Sequence, residues 1–191
     1  MKSHTSVQRS EVLLLETPFL SEAGGEEVKA YMQSKYNLAL LALGSYVKAH
    51  SDLQVSLINM SKDRINEEKL IGRLRSSPPK VVGVSLYSYS LATSYRIISR
   101  IKQEFPETHI CVGGPHVSIF PQETVQLPNI DSIVLGDGEV PFLEVCRQIT
   151  SENKLTLGTL PPGVYTKEYP RNEEKLLSNT FGEMNDLPPS D

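Results

Sequence analysis

Three short apolar runs between Lys80 and Phe142 each end in a loop of small residues: KVVGVSLYS, HICVGGPHVS and SIVLGDGEV. A strand buried on both faces of a parallel sheet reads as a continuous Val/Ile/Leu run, with no polar alternation. The loop that follows such a strand sits at the carboxyl edge of the sheet, where open α/β folds bind their ligands. Glycine and serine there let a bulky ligand approach the backbone closely. The pattern speaks to a ligand cradle before it speaks to a reaction.

The rest of the chain supplies further units of the same kind. Glu11–Glu16 (EVLLLE) is a first strand, buried on both faces, followed by a loop from Thr17 to Gly25 that holds Pro18 and the Gly24-Gly25 pair. Helix is expected from about Glu26 to His50, with a break near Lys35, an inward face of Leu38, Leu41, Ala42 and Ser45, and Gly44 permitting close packing. Leu53–Asn59 is the second strand, and Ile65–Arg75 a short charged helix. Val81–Leu86, His109–Val112 and Ile130–Leu135 are strands three to five. Between them Leu91, Tyr95, Ile98, Ile101 and Phe105 form one helical stripe, and Pro121 opens a short helix, PQETVQL. Val140–Ile149 is the last helix.

Strand and helix alternating five times predict a doubly wound, five-stranded parallel sheet of the flavodoxin-like or Rossmann-like class, in the order 2-1-3-4-5. Residues 1–150 make this α/β domain, and 151–191 an extension. In the extension, GVYTK and EKLLS read as a C-terminal hairpin and NDLPPSD as a linker toward something beyond.

Composition removes some functions. With 19 Lys+Arg against 23 Asp+Glu there is no basic stripe for nucleic acid. Cys111 and Cys146 are too few for a disulfide framework and read as buried reduced thiols. No stretch reads as a signal peptide or a membrane span, so a cytoplasmic protein without a membrane partner is expected. A GxGxxG after the first strand and a GxxxxGK[ST] are both missing, which disfavours NAD and nucleoside triphosphates.

The three loops each allow two readings. Ser85-Leu86-Tyr87-Ser88 can hold a phosphate or a nucleotide tail, or Ser88 and Ser90 simply cap a helix. Gly113-Gly114-Pro115-His116 removes side chains from one wall of a crevice, or is a tight turn. His116 could hold a metal, though a single loop histidine rarely does. In Gly136-Asp137-Gly138-Glu139 the close pair of acids can serve acid–base or metal chemistry, or, with no second carboxylate or histidine cluster nearby in sequence, the glutamate caps free amides and complements a helix dipole.

Taken together, VVGVSLYSYS, IKQEFPETHICVGGPHVSIFPQE and IDSIVLGDGEVPFLEV closely resemble the N-terminal cobalamin-binding domain of cobalamin-dependent radical S-adenosylmethionine enzymes. The likeness runs from Glu11 to Pro188 and includes the hairpin and Leu-Pro linker; Asp137 stands where the family more often has glutamate. It implies a nucleotide tail in a slot between the first and third strands, lined by Ser85 and Leu86 and floored by Gly113 and Gly114, with Gly136 also in contact. It implies a corrin ring across the strand ends, over Thr17, Tyr87 and His116. Pro18, Ser88, Pro115, Asp137, Gly138 and Glu139 complete the implied cofactor-binding set. No Asp-x-His-x-x-Gly supplies a histidine below cobalt, and no Cys-x-x-x-Cys-x-x-Cys holds an iron–sulfur cluster. The resemblance therefore implies a cobalamin module serving methyl transfer or related radical chemistry. The cluster and S-adenosylmethionine would belong to a radical domain in the parent protein or in a separate partner. Two other readings stand beside it: a cofactor-free docking or regulatory domain, and a flavin enzyme using Thr17, Ser21 and the glycine pair.

Overall fold

The computed structural model describes residues 10–18 and 37–168. Their elements run in chain order as β1 (Val12–Glu16), α1 (Leu38–His50), β2 (Val55–Asn59), α2 (Glu67–Ser76) and β3 (Val81–Ser85). Then come α3 (Leu91–Glu104), β4 (His109–Gly113), the short α4 (Pro115–Ile119) and α5 (Pro121–Gln126). The sequence closes with β5 (Ser132–Val134), α6 (Glu139–Glu152) and β6 (Val164–Tyr165).

The sheet order is β2-β1-β3-β4-β5-β6. The first five strands pair in parallel in the expected order, with Val12 opposite both Val55 and Val81. The expected count of five is corrected to six. Val164–Tyr165, the first arm of the expected hairpin, joins the sheet by pairing antiparallel with β5, Tyr165 opposite Ile133. That edge would otherwise leave β5 with a row of unpaired backbone groups. The other arm and the linker fall outside the described residues, as does most of the loop after β1.

Alternate residues of each strand serve two separate cores. Leu13, Leu15, Val82, Val84, Ile110 and Val112 pack on one face with α2, α3, α4 and α5. Val12, Leu14, Val81, Cys111 and Val134 pack on the other with α1 and α6. This is why β1 and β3 carry unbroken apolar runs: each residue has a core to enter.

Two expectations about helices are corrected. The inward face of α1 is Leu40, Gly44, Tyr46 and Val47, and Leu38 is exposed. Gly44 sets the rotation: a Cβ there would lie 3.2 Å from Leu14 Cδ1, so this helix face lies close against the sheet. The turn after β4, read as loop, is helical from Pro115 to Ile119, with proline in its first turn. On α3 Leu91, Ile98, Ile101 and Phe105 of the expected stripe pack on the core, with Ser94 and Ile97 buried beside them in place of Tyr95.

Candidate functional site

The carboxyl ends of β3, β4 and β5 do not close against the helices above them. Between the first turns of α1 and α6 they leave a crevice of about 140 Å³, open at its mouth. Its walls are largely apolar or bare: Leu40 and Leu43 from α1, Phe142 from α6, Val134 from β5, and Gly83, Gly113 and Gly138. Its place, outside the carboxyl ends of parallel strands, and its apolar lining are those of small-molecule and cofactor sites in open α/β folds.

The strand pleat decides which residues reach it. Ser85 shares its strand face with Gly83, on the α1–α6 side, and lines the crevice. Among the described residues its hydroxyl has no hydrogen-bond partner. Leu86 points the other way, buried in the opposite core, so it lends the crevice no side chain. Its backbone instead ties the loops together: Leu86 N–H donates to the Gly113 carbonyl at 2.8 Å, and its carbonyl accepts from His116 N–H at 3.0 Å. Gly114, at φ +96°, makes the turn between them, and a Cβ there would lie 2.6 Å from Ser85 Oγ.

Of the candidate residues, Ser85, Gly113, Gly114, Gly136, Gly138 and Glu139 come together in the crevice lining. Tyr87 and Ser88 on the loop after β3 and His116 in the first turn of α4 stand at the same end of the sheet, where Ser88 Oγ lies 2.9 Å from His116 Nδ1. Pro115 begins α4 beside them, and Asp137 is exposed in the loop before α6. Thr17 shares a 2.6 Å hydroxyl–hydroxyl hydrogen bond with Ser94, beside Pro18. No residue of β1 lines the crevice, which lies over β3 and β4 and not between the first and third strands.

The expected helix caps are not formed. Ser90 precedes α3 without a capping bond and donates weakly to the Tyr87 carbonyl at 3.4 Å, while Ser88 turns to His116. Glu139 lies in the first turn of α6 and complements its dipole, yet no side chain caps that helix. Glu139 belongs to the crevice lining.

His116 is nearly buried, and burial lowers its pKa, favouring the neutral ring; its ring centroid lies 5.2 Å from that of Phe120. Among the described residues no three His, Cys, Asp or Glu side chains gather as a metal-ion site. Cys111, which also borders the crevice, has its thiol pushed up to about 12 by burial, which leaves it protonated and unreactive.

A polar group at the rim has no counterpart in the sequence reading. Glu16, the last residue of β1, accepts from Asn59 Nδ2 at 2.7 Å and from Asn37 N–H at 3.3 Å, both on Oε2. Asn37 caps α1 through its side-chain oxygen and donates from Nδ2 to the Tyr87 hydroxyl at 3.2 Å. Tyr87 stacks on Tyr89 at 5.2 Å. Burial raises the Glu16 pKa, with the Asn37 and Asn59 bonds working against it. Only adjacency to the β1 loop could have marked Glu16 in advance. Gly83, a glycine in mid-strand two residues before Ser85, carried a clearer signal.

Residues 31–146 match the family described as B12 binding domain. Over 119 residues the chain is 25% identical to an uncharacterized methyltransferase of Pyrococcus horikoshii, covering 62% of this chain and 26% of that protein. It is 28% identical over 80 residues to the cytidylyl-2-hydroxyethylphosphonate methyltransferase of Streptomyces wedmorensis, 41% of this chain and 15% of the relative. Among solved structures, the cobalamin-dependent S-adenosylmethionine radical enzyme OxsB, with aqua-cobalamin and S-adenosylmethionine bound, superposes with a TM-score of 0.73 at 20% identity, covering 96% of this chain and 24% of OxsB. The radical S-adenosylmethionine methyltransferase TsrM from Kitasatospora setae, with cobalamin and a [4Fe-4S] cluster bound, gives 0.64 at 21%, covering 82% of this chain and 29% of TsrM. The chain thus spans about a quarter of the length of the first of these relatives.

Proposed function

The chain belongs to the B12-binding domain family, and from that premise we propose that it is the cobalamin-binding module of a radical S-adenosylmethionine system. The observation that carries the reading is the crevice at the carboxyl ends of β3, β4 and β5. It is bared by Gly83, Gly113 and Gly138, edged by the free Ser85 hydroxyl, and walled by the apolar Leu40, Leu43, Val134 and Phe142. The nucleotide tail of cobalamin enters there, beside Ser85, Gly113, Gly114 and Gly136. The ring lies above, toward Thr17, Tyr87 and His116.

When bound, the cobalt supplies one-carbon transfer or related radical chemistry. The polypeptide's part is to seat the tail, orient the ring and keep one face of it accessible. His116 stays neutral and engaged with Ser88, bracing the loop after β3 against the loop after β4. The iron–sulfur cluster and S-adenosylmethionine belong to a radical domain reached through residues 151–191 in the parent protein, or to a separate partner.

The rim supports such a neighbour. Among the described residues the exposed large hydrophobics are Leu38 and Val140 in the first turns of α1 and α6, Tyr89 before α3, and Ile119 and Phe120 at the end of α4, all on segments that follow the carboxyl ends of strands. Apolar groups gathered on one edge suit a surface covered by another layer of protein.

Titration with hydroxocobalamin, followed by corrin absorbance, tests the reading. Binding is expected at tens of micromolar or tighter, and Gly114→Leu should abolish it. A leucine at φ +96° is strained and drives its Cβ into Ser85 and the Leu86 backbone. No binding by the folded wild-type chain would leave a cofactor-free docking domain as the better account.

A further inference from the structure

We propose that Glu16 is a specificity-determining contact for the corrin: its second carboxylate oxygen, Oε1, receives an N–H from one of the ring's peripheral amide arms and so selects the fully amidated cofactor. The inference rests on the cobalamin reading above and adds to it a residue that lies outside the tail crevice.

Three observations meet at this side chain. First, it is half satisfied. Both hydrogen bonds from Asn59 Nδ2 and Asn37 N–H fall on Oε2, and among the described residues Oε1 has no donor. A carboxylate in a partly desolvated position gains most from a donor on its remaining oxygen.

Second, its placement is set by the pleat. Glu16 follows Leu14 on the same strand face, the face covered by α1 and α6 that also bears Ser85 and the crevice. It is the last residue of β1, one position before Thr17, so it stands at the carboxyl edge where the ring would rest.

Third, the position is held rigidly. Asn59 ends β2 and is buried; Asn37 begins α1 and reaches on to the Tyr87 hydroxyl at 3.2 Å. Glu16 is therefore braced from β2, α1 and the loop after β3 at once. That is the support a directional contact needs. Among the described residues the surrounding donors are neutral amides and a phenol, not lysine or arginine, so this polar surface suits a neutral amide ligand.

The test compares cobalamin with corrinoids in which one peripheral amide is hydrolysed to a carboxylate, titrated against wild type and Glu16→Gln. Two carboxylates facing each other repel, so at least one hydrolysed isomer should bind wild type about tenfold or more weakly than cobalamin. Glu16→Gln keeps an acceptor for Asn37 and Asn59 and turns an amide N–H toward the ligand. It should weaken cobalamin binding a few-fold, through loss of the Oε1 acceptor, and bring that isomer to within about twofold of cobalamin. A merely structural role would change both affinities together and leave their ratio alone. If every hydrolysed isomer binds wild type as well as cobalamin does, or if the ratio is the same in Glu16→Gln, the proposal is overturned. If wild type binds no cobalamin at all, it is the parent reading that has failed.

Discussion

The two ends of this sheet are built from the same strands and finished in opposite ways. At the amino end polar groups are closed on one another. His109 Nε2 lies 2.8 Å from Ser132 Oγ, Asp131 accepts from Ile110 N–H at 2.7 Å, and Lys102 Nζ pairs with Asp131 at 2.9 Å. Thr108 donates to the Pro79 carbonyl at 2.8 Å. At the carboxyl end the Ser85 hydroxyl and Glu16 Oε1 are left open, glycines replace side chains, and apolar residues stand exposed. Polar groups satisfied internally lock a structure; polar groups left waiting at a rigid edge mark a place for something else. Among the described residues the Thr166 hydroxyl departs from this at the closed end, being buried without a partner.

The comparison can be broken most forcefully at the closed end. Burial lowers the His109 pKa from 6.5 to about 4. A base depressed on folding contributes stability above its unfolded value, and that stability is lost as pH falls toward the folded one. Acidification from pH 7 to pH 4 should thus cost about 3 kcal/mol through this residue. His109→Gln should flatten that part of the profile, measured by urea unfolding across the range. An unchanged profile would mean the amino end is not locked through this histidine.

An intermediate effect is expected at the open end. A Cβ on Gly83 would lie 2.7 Å from Phe142 Cζ and 2.9 Å from Leu14 Cδ2. Gly83→Ala should destabilise the fold by about 1–3 kcal/mol through overpacking and push Phe142 toward the crevice. Thermal unfolding and ligand titration should therefore both report it. A variant as stable as wild type would show the crevice wall to be looser than its packing indicates.

The smallest effect concerns Glu16. Its pKa is raised by burial, so the folded state holds the proton more tightly than the unfolded chain. Stability from this group is present at low pH and declines as pH rises through the folded pKa. Glu16→Gln removes that decline, so its Tm relative to wild type should rise modestly between pH 4 and pH 7. A difference constant with pH would show the carboxyl to be effectively solvated.

Much of this architecture was legible because the strands are buried on both faces. Continuous apolar runs located β1, β3 and β4 to within a residue or two, and strand–helix alternation predicted the parallel order. The inward face of α1 was not legible. Leu38 and Leu41 look like core by composition, but the close approach of Gly44 to Leu14 rotates Leu40 and Val47 inward. β6 was seen as half of a hairpin; that it closes the β5 edge depends on which backbone groups β5 leaves unpaired.

At the candidate site the split is sharper. Gly113, Gly114, Ser85 and Gly138 announced themselves as small residues after strands. Leu86 was drawn in by adjacency, though the two-residue pleat sends it to the opposite core.

What the chain alone determined is the succession of strands and bare loops, since burial on both faces and freedom at the turns are written in residue type. Which of those loops share a crevice, and that a glutamate at the end of β1 joins Asn37 and Asn59 at its rim, was decided only in three dimensions. Strand order and side-chain parity bring together residues that are far apart in the chain, and neither is a property of any local stretch.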